Sequence, residues 1–507
     1  MRDLAELTSW HADWRGLRVV VLGLGVTGFS VADTLIELGS EVLVVTSSAS
    51  PERTELLAVI GGALELSPDD AGVPATVVDF NPELVIVSPG FRPDHPLVSW
   101  ARDRNVAIWG DIELAWRVRD KTGSPADWIA ITGTNGKTTT AQLAAHLLEA
   151  DGRRAAAVGN IGVPVLDAVR YPDGFDVLVV ELSSFQLHWM PRTGPGALRP
   201  AASVCLNLAD DHLDWHGSRE AYSRDKATVY ANTRIACVYN KADAATQEMV
   251  EDAEVQEGCR AIGFDLDSPG PSDLGIVGDI VVDRAFHDDR HRQALELTTV
   301  GELREAGLST PHMLANVLAA SALVRAVGVP TEVVHAGLGT FRVDHHRTET
   351  IALDGGVLWV DDSKATNSHA ADAALRAYTS VVWVVGGLLK GVDIGPLVLA
   401  HAARLKGAVV IGSNRQPVVE AFERHAPGLP LIEVNATDTG EVMPEAVHAA
   451  ASLADEGDTV LLAPAAASMD QFTDYADRGN RFAAAVKDLV GEVEDDDNTR
   501  PLLPGTP

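Results

Sequence analysis

Residues 133–140, Gly-Thr-Asn-Gly-Lys-Thr-Thr-Thr, lie between an apolar stretch at 128–131 and a helix-forming stretch at 141–148. A strand, a glycine-rich turn and a helix in this order let backbone N–H groups and a helix N-terminus approach a polyphosphate. The spacing differs from the standard phosphate loop, which would place glycine where this chain has Ile131. A chance Gly-Lys-Thr sequence in a loop is the alternative. The flanking pattern favours an α/β domain that binds a nucleoside triphosphate.

Length and charge limit the class of protein. The chain has 507 residues, and 40 basic and 72 acidic residues give a formal net charge of −32. This charge argues against binding nucleic acid, and the apolar runs are too short for membrane insertion. The three cysteines form no Cys-x-x-Cys pair, and no signal sequence opens the chain. We expect a monomeric cytoplasmic protein without an obligate protein partner.

Short β-branched runs alternate with Ala- and Leu-rich stretches along the whole chain, which is typical of α/β proteins. We expect an N-terminal Rossmann-like domain over residues 1–120 and a central ATPase-like domain with a mainly parallel sheet over residues 121–342. A C-terminal Rossmann-like domain is expected over residues 343–490. Residues 491–507 are acidic and then proline-rich, so we expect a disordered tail there.

A second glycine-rich turn, residues 23–28, follows the first apolar run and matches Gly-x-Gly-x-x-Gly. A NAD site would also need a carboxylate after the second strand, where residues 45–48 are Val-Thr-Ser-Ser. The pattern therefore favours a nucleotide diphosphate over a dinucleotide, with a purely structural turn as the alternative. Residues 88–90, Ser-Pro-Gly, follow another strand and offer a second turn to the same ligand.

Polar groups follow two later strands of the central block. Glu181 comes directly after an apolar run, where a phosphate-loop domain holds Mg²⁺. Residues 207–214 include His212, whose neutral imidazole could bind a second metal. Lys226 lies in a helical stretch beyond them. A solvated loop acid, a surface histidine and an exposed lysine are the respective alternatives.

In the third block, three polar clusters also follow strands, at residues 361–367, 386–391 and 464–472. Ligands of open α/β sheets bind at this edge, so the clusters predict a small polar substrate, although each could be a simple turn. Arg347 lies at the entry to the block, where it could reach a phosphate or form a solvated basic turn.

Taken together, residues 133–139, 159–162, 181–187 and 207–214 resemble motifs of the Mur ligase family, and the similarity covers nearly the whole chain. Within the family, residues 362–367 and 468–472 resemble the member that adds D-glutamate. The resemblance implies an ADP-forming amide ligase of cytoplasmic peptidoglycan precursor synthesis, acting through an acyl phosphate. It implies ATP and two Mg²⁺ ions as cofactors, and UDP-N-acetylmuramoyl-L-alanine and D-glutamate as substrates.

The resemblance also implies roles for individual residues. The implied catalytic residues are Lys137, Glu181, His212 and Lys226. The implied metal ligands are Thr138, Glu181, His212 and a carbamylated Lys226. The implied ATP contacts are Gly133, Thr134, Asn135, Gly136, Lys137, Thr138, Thr139, Thr140, Asn316, Arg347 and Asp362. The implied contacts to the UDP-linked substrate are Val26, Thr27, Ser47, Ser88, Gly90 and Asn160. The implied D-glutamate contacts are Thr366, Lys390, Ser468 and Tyr475.

Three positions depart from the family pattern: Met313 replaces an asparagine, Thr46 an acid and Tyr475 a phenylalanine. They bear on purine, uracil and D-glutamate contacts respectively. Three rival functions stay open on the sequence: a NAD-dependent oxidoreductase, a nucleotide switch or transport ATPase, and a folylpolyglutamate synthetase. The last should lack the clusters at 362–367 and 468–472.

Overall fold

The computed structural model describes residues 3–68, 71–342, 345–389 and 391–496, with side chains to residue 491. The chain forms two compact units, Met1–Phe341 and Arg342–Pro507. The first unit contains two sheets and the second contains one. None of the described helices combines the length and the apolar character that crossing a bilayer requires.

The N-terminal sheet has five parallel strands in the order β3-β2-β1-β4-β5. Its strands are β1 Arg18–Leu22, β2 Glu41–Thr46, β3 Ala63–Leu66, β4 Leu84–Val87 and β5 Ala107–Gly110. Its helices are α1 Val26–Glu37, α2 Pro51–Val59, α3 Ala75–Phe80, α4 Pro96–Asp103 and α5 Asp111–Arg117, preceded by a 3-10 turn at Leu4–Glu6. The order of strands changes direction between β1 and β4, and open α/β sheets bind ligands at such a point.

The central sheet has nine strands in the order β14-β13-β12-β11-β10-β9-β6-β8-β7, of which β13 and β14 run antiparallel to their neighbours. The strands are β6 Asp127–Thr132, β7 Ala155–Gly159, β8 Val177–Glu181, β9 Ala202–Cys205, β10 Ala236–Asn240, β11 Arg260–Phe264, β12 Asp273–Val277, β13 Ile280–Asp283 and β14 Leu295–Thr299. The helices are α6 Lys137–Ala150, α7 Val165–Val169, α8 Ser184–Trp189, α9 Leu213–His216, α10 Arg219–Ala227, α11 Ala244–Glu251, α12 Val300–Glu305, α13 Pro311–Ala326 and α14 Thr331–Thr340, with a 3-10 turn at Thr228–Tyr230. The strand β6, which precedes the phosphate loop, lies between β8 and β9.

The second unit has six strands in the order β15-β16-β20-β17-β18-β19, parallel except for the edge strand β15. The strands are β15 Glu349–Asp354, β16 Val357–Asp361, β17 Val381–Gly386, β18 Leu405–Ile411, β19 Leu431–Glu433 and β20 Thr459–Leu462. The helices are α15 Ser368–Arg376, α16 Gly395–His401, α17 Gln416–His425, α18 Thr439–Ala451 and α19 Tyr475–Asp496, with a 3-10 turn at Ala402–Arg404.

The strands form where β-branched residues cluster, because these side chains pack well on a pleated surface buried on both faces. Thus Val19, Val20 and Val21 of β1 are all fully buried. The α-helix α19 continues to Asp496, past residue 490, where we expected the last domain to end and a disordered tail to begin. Extending an existing helix adds one hydrogen bond per residue, which allows a polar segment to continue it. The rest of the expected tail, residues 497–507, lies outside the described residues.

Candidate active site

The phosphate loop is held against the segment that follows β9. Asn135 N–H donates to Asn207 Oδ1 (2.8 Å), and Asn207 Nδ2 donates back to the Asn135 carbonyl (3.1 Å). Gly136 has φ of +84°, and a Cβ there would lie 2.4 Å from Asn316 Oδ1. Glycine is therefore required at 136, both for backbone conformation and for space. The geometry brings the predicted ATP contact Asn316 directly against the loop.

Two lysine ammonium groups share one carbonyl oxygen of this loop. Lys137 Nζ donates to the carbonyls of Gly133 (2.9 Å) and Thr134 (2.8 Å), and Lys226 Nζ donates to the same Gly133 carbonyl (2.8 Å). The sequence separation of these lysines gave no sign of this. The predicted phosphate-binding lysine is therefore folded back on its own loop.

Lys226 is not the exposed lysine that its helical context allowed. It is only 2% exposed. Burial, and then the positive charge of Lys137, lower the pKa of Lys226 to about 7, while Cys205, Asp211 and Glu181 act in the opposite direction. A lysine with such a pKa has an available lone pair near neutral pH, which carbamylation by CO₂ requires. Carbamylation would also convert the repulsion from Lys137 into attraction.

Glu181 ends β8 in the position expected for a metal-holding carboxylate. It is 2% exposed, and its Oε1 accepts a hydrogen bond from Asn160 Nδ2 (2.9 Å). Its Oε2 has no hydrogen-bond partner among the described residues. A buried oxygen without a partner carries a large desolvation penalty unless a ligand completes it. Because divalent cations such as Mg²⁺ prefer oxygen ligands, Glu181 fits the implied metal.

His212 lies in the segment 207–214, which contacts the phosphate loop through Asn207. Its backbone is in the left-handed region (φ 52°) directly before α9, and its ring packs edge-on against Phe185 with the ring centroids 4.7 Å apart. The Nε2 atom lies 3.5 Å from Asp211 Oδ2. The side chain of His212 is 40% exposed, so it can approach a ligand bound at the phosphate loop. Thr138, by contrast, is buried in the first turn of α6.

The two N-terminal turns that follow β1 and β4 face each other as the sequence suggested. A Cβ on Gly28 would lie 2.0 Å from the Gly23 carbonyl oxygen and 3.0 Å from Ser88 Oγ. The hydroxyl of Ser88 is buried and has no partner in the described part of the chain. Trp215 Nε1 donates to the Gly90 carbonyl (3.3 Å), so the second turn is connected to the segment that contains His212. The Ser88 hydroxyl is enclosed beside Gly23 and Gly28, where the two turns meet.

The other expected contacts of the UDP-linked substrate lie around this edge. Val26 is exposed at the start of α1, Thr27 is half-buried beside it, and Ser47 follows β2 in an exposed position. The side-chain amide of Asn160 donates its hydrogen bond to Glu181, as described above. All four stay predictions as substrate contacts.

In the second unit, polar groups gather where β16 ends. His346 Nδ1 pairs with the buried Asp361 Oδ2 at 2.6 Å. Asp362 Oδ1 accepts from Thr348 N–H (3.1 Å). Burial raises the pKa of Asp362 to about 7, against the opposing positive charge of Arg347. The predicted ATP contacts Arg347 and Asp362 are therefore electrostatic neighbours within this unit.

Of the expected D-glutamate contacts, Thr366 and Ser468 come from loops of the second unit, and Tyr475 is the first residue of α19. The Ala465 N–H donates to the Ala365 carbonyl (2.9 Å), which joins the loop after β16 to the loop after β20. Ser468 is buried and Thr366 half-buried. Lys390 lies outside the described residues. The role of each residue stays a prediction.

Sequence reasoning missed three side chains at these sites. Tyr222 Oη lies 3.1 Å from Thr134 Oγ1 of the phosphate loop, and Lys226 Nζ lies 4.8 Å from the Tyr222 ring centroid. Lys364 Nζ lies 4.9 Å from the Tyr475 ring centroid. Arg478 is fully buried and donates to the hydroxyl and the carbonyl of Ser363. Lys364 stood within a cluster already noted, whereas a lone tyrosine or arginine in a helix carries no sequence signal.

Sequence profiles of three domains match the chain. They are the Mur ligase MurD-like N-terminal domain over residues 17–110, the Mur ligase middle domain over residues 131–324 and the Mur ligase glutamate ligase domain over residues 346–466. Three α/β sheets, with a phosphate loop on the central one, define the same class of protein. The chain belongs to the Mur ligase family.

Within that family, the chain is similar to D-glutamate ligases. The UDP-N-acetylmuramoylalanine–D-glutamate ligase of Leifsonia xyli subsp. xyli is 64% identical over 499 residues, which cover 97% of this chain and 96% of the relative. The enzyme of the same name from Streptomyces avermitilis is 51% identical, with 94% and 99% covered. The matches therefore favour a ligase over an oxidoreductase or a nucleotide switch.

Solved structures show the same fold at low identity. UDP-N-acetylmuramate-alanine ligase MurC from Thermotoga maritima has a TM-score of 0.55 at 19% identity, with 93% of this chain and all of that chain covered. MurF ligase from Thermotoga maritima, in complex with ADP, has a TM-score of 0.54 at 17% identity, with 97% and 100% covered. A bifunctional folylpolyglutamate synthase/dihydrofolate synthase has a TM-score of 0.51 at 17% identity, with 74% and 93% covered. The rival ligase class thus shares the fold.

Proposed function

We propose that this chain joins D-glutamate to UDP-N-acetylmuramoyl-L-alanine with ATP hydrolysed to ADP and phosphate, in cytoplasmic peptidoglycan precursor synthesis. The observation that carries the proposal is the 64% identity to a D-glutamate ligase along nearly the whole of both chains. The phosphate loop with its two lysines and the polar loops of the second unit supply the matching chemistry. The monomeric state stays a prediction.

In the first step, the L-alanine carboxylate of the UDP-linked substrate attacks the γ-phosphorus of ATP, the bond to the β-phosphate oxygen breaks, and ADP leaves. Lys137 and the N–H groups of residues 133–139 neutralise the negative charge on the phosphoryl oxygens. To do so, the Lys137 ammonium exchanges the Gly133 and Thr134 carbonyls for phosphate oxygens. The turns at 23–28 and 88–90 hold the UDP portion, with the buried Ser88 hydroxyl as a donor.

In the second step, the amine of D-glutamate attacks the acyl carbon, a tetrahedral intermediate collapses, and phosphate leaves. We assign the carboxylates of D-glutamate to Lys390, Ser468 and Thr366, with Tyr475 beside them. A different amino acid would leave some of these groups buried and unpaired, which accounts for specificity. The site must exclude water during this step because an acyl phosphate hydrolyses readily.

Divalent metal ions, which we infer to be two Mg²⁺, would be held by Glu181, His212, Thr138 and a carbamylated Lys226. Bound there, they would offset the charge of the phosphates during transfer. The partnerless Glu181 Oε2 supports this assignment. A carbamate on Lys226 would add two further oxygen donors beside the loop.

Phosphate release tests the proposal directly. Phosphate should appear only when ATP, UDP-N-acetylmuramoyl-L-alanine and D-glutamate are all present, and replacing D-glutamate with L-glutamate, L-alanine or diaminopimelate should abolish it. Release with folate and L-glutamate would favour the rival ligase, and release with ATP alone would favour a switch or transport ATPase.

The variant Lys137→Ala should lower kcat by at least about 100-fold, because it removes the main cation that faces the transferred phosphoryl group. The exposed Lys406, which pairs with Asp455 far from the loop in sequence, provides the matched control. Lys406→Ala should leave kcat unchanged. Full activity in Lys137→Ala would refute the assignment of the phosphate loop.

A further inference from the structure

His216, the last residue of α9, connects helices α8 and α10 through both of its ring nitrogens. The side chain of His216 is 0% exposed. Its Nδ1 lies 2.8 Å from Asp225 Oδ2, and its Nε2 lies 3.0 Å from Ser184 Oγ. An ionised carboxylate only accepts hydrogen bonds, so Nδ1 donates to Asp225, while Nε2 pairs with the Ser184 hydroxyl.

A serine, a histidine and an aspartate in this order resemble the arrangement of hydrolases, but the surroundings exclude that chemistry. Ser184 is only 4% exposed, and the His216 ring is closed in by Phe185, Trp215 and Tyr222. A nucleophilic serine needs an acyl group within reach of its oxygen. The three side chains therefore have a structural role, which is to hold neighbouring segments of the protein in place.

The ends of this connection lie next to two side chains assigned to the metal. Ser184 begins α8, three residues after Glu181, and Asp225 directly precedes Lys226 on α10. Glu181 carries the partnerless Oε2, and Lys226 is held against the phosphate loop. Fixing Ser184 relative to Asp225 consequently fixes the segment of Glu181 relative to that of Lys226.

We propose that His216 is a positioning residue that holds Glu181 and Lys226 at the separation a divalent cation requires. The proposal rests on the proposed function for the assignment of Glu181 and Lys226 to the metal and for the choice of substrates in the assay. Groups that orient metal ligands typically contribute a 10- to 100-fold effect on metal affinity when they are removed. His216 contacts neither Glu181 nor Lys226 directly and acts through Ser184 and Asp225, so the lower end of this range applies.

The same cluster offers a comparison variant. His188, which also lies on α8, has its Nδ1 3.0 Å from the same Asp225 Oδ2, but the structure shows no hydrogen bond between His188 and Ser184 among the described residues. His188→Ala therefore removes a second connection between α8 and α10 and keeps the one that ends at Ser184, next to Glu181. Ser184→Ala removes a single hydroxyl and breaks the connection through His216 at its far end, so it tests the proposal even if His216→Ala unfolds.

The experiment measures metal binding separately from turnover. Mn²⁺ binding to the intact protein with AMP-PNP is followed by electron paramagnetic resonance of the free ion, and the Mg²⁺ concentration for half-maximal phosphate release is measured in parallel. His216→Ala and Ser184→Ala should raise the Mn²⁺ Kd and the half-maximal Mg²⁺ concentration about tenfold. Their kcat at saturating Mg²⁺ should stay within about twofold of the parent value. His188→Ala should change both metal constants less than His216→Ala does, because Ser184 lies three residues from Glu181 and His188 lies seven.

Two results would overturn the inference. One is a folded Ser184→Ala protein whose Mn²⁺ Kd equals that of the parent. The other is a His188→Ala protein whose Kd shifts as much as that of His216→Ala, since this would show that the hydrogen bond at Ser184 has no particular role. A parent protein that binds Mn²⁺ but releases no phosphate from the proposed substrates would count against the proposed function and leave the binding comparison intact.

Discussion

The shifted pKa values of several ionisable residues in this molecule are caused mainly by burial and by one close partner. Lys226, Asp362 and His346 each lie beside a named charge, and each has a shifted pKa with an identifiable cause. In the case of His346, the hydrogen bond to Asp361 raises the pKa above 6.5, and burial opposes it. Such a shift makes stability depend on pH.

His346 should stabilise the second unit more at low pH than at high pH. The folded protein holds the proton more tightly than the unfolded chain, so the stabilisation is complete below pH 6.5 and is lost as pH rises through the raised pKa. We expect His346→Gln to lower the apparent Tm by roughly 2–4 °C more at pH 6 than at pH 9. Thermal unfolding monitored by circular dichroism measures this difference.

The neighbouring His345 supplies the control, because its side chain is largely exposed and pairs with the half-buried Glu349. His345→Gln should shift the Tm little at either pH. A loss of Tm in His346→Gln that is the same at pH 6 and pH 9 would contradict a role for the protonated ring.

Among the elements, the turn between β1 and α1 requires its third glycine for space. A Cβ at position 28 would lie 2.0 Å from the Gly23 carbonyl oxygen, so Gly28→Ala must move the turn. We expect the KM for the UDP-linked substrate to rise at least about tenfold while the KM for ATP is unchanged, since a shift of about 1 Å has effects of this size or larger. Steady-state kinetics with each substrate varied in turn gives both constants.

Gly339, in α14, has open space at its Cβ position. Gly339→Ala should therefore leave both KM values alone. Equal KM values in Gly28→Ala and the parent would mean that the first turn does not contact the UDP portion.

Two hydrogen bonds join the segment that contains His212 to the residues after β4: Trp215 Nε1 donates to the Gly90 carbonyl, and Arg92 donates to the Asp214 carbonyl. Trp215→Phe keeps an aromatic ring in the cluster and removes this donor. Since one such bond contributes about 1 kcal/mol, we expect the KM for the UDP-linked substrate to rise about fivefold. Trp100 Nε1 has no partner in the described residues, so Trp100→Phe is the control that should change nothing.

The elements that sequence reasoning found are those whose signal is local. The glycine turns, the strands rich in valine and the helix after the phosphate loop all follow from neighbouring residues. The antiparallel pair β13 and β14 escaped, because two short strands on an edge give little periodicity. His216, Asp225 and Ser184 also escaped, since their contacts span nine and 32 positions of the chain and depend on how α8 packs against α10. Long-range contacts of this kind can be identified only in the three-dimensional structure.

Over the whole molecule, a net charge of −32 coincides with substrates that are all anionic. Local cations such as Lys137 must attract ATP against the repulsion of the rest of the surface. Salt screens the distant acidic charges more than the close contacts within a buried site. The ionic environment should therefore influence how fast substrates arrive.

We expect kcat/KM for ATP and for the UDP-linked substrate to rise by roughly two- to fivefold between 10 and 150 mM KCl, as screening removes the long-range repulsion. kcat itself should change little. Initial rates at low substrate concentration across this range, at constant free Mg²⁺, measure the effect. A fall in kcat/KM over the same range would show that the local positive field of the loop dominates the encounter.

Under the proposed function, the shared Gly133 carbonyl makes nucleotide binding an exchange of partners. Lys137 Nζ and Lys226 Nζ both donate to this oxygen, so a phosphate must offer Lys137 a stronger acceptor than a peptide carbonyl. A charged phosphate oxygen is such an acceptor. We therefore expect the loop to favour nucleotides with more phosphate groups before any bond is made or broken.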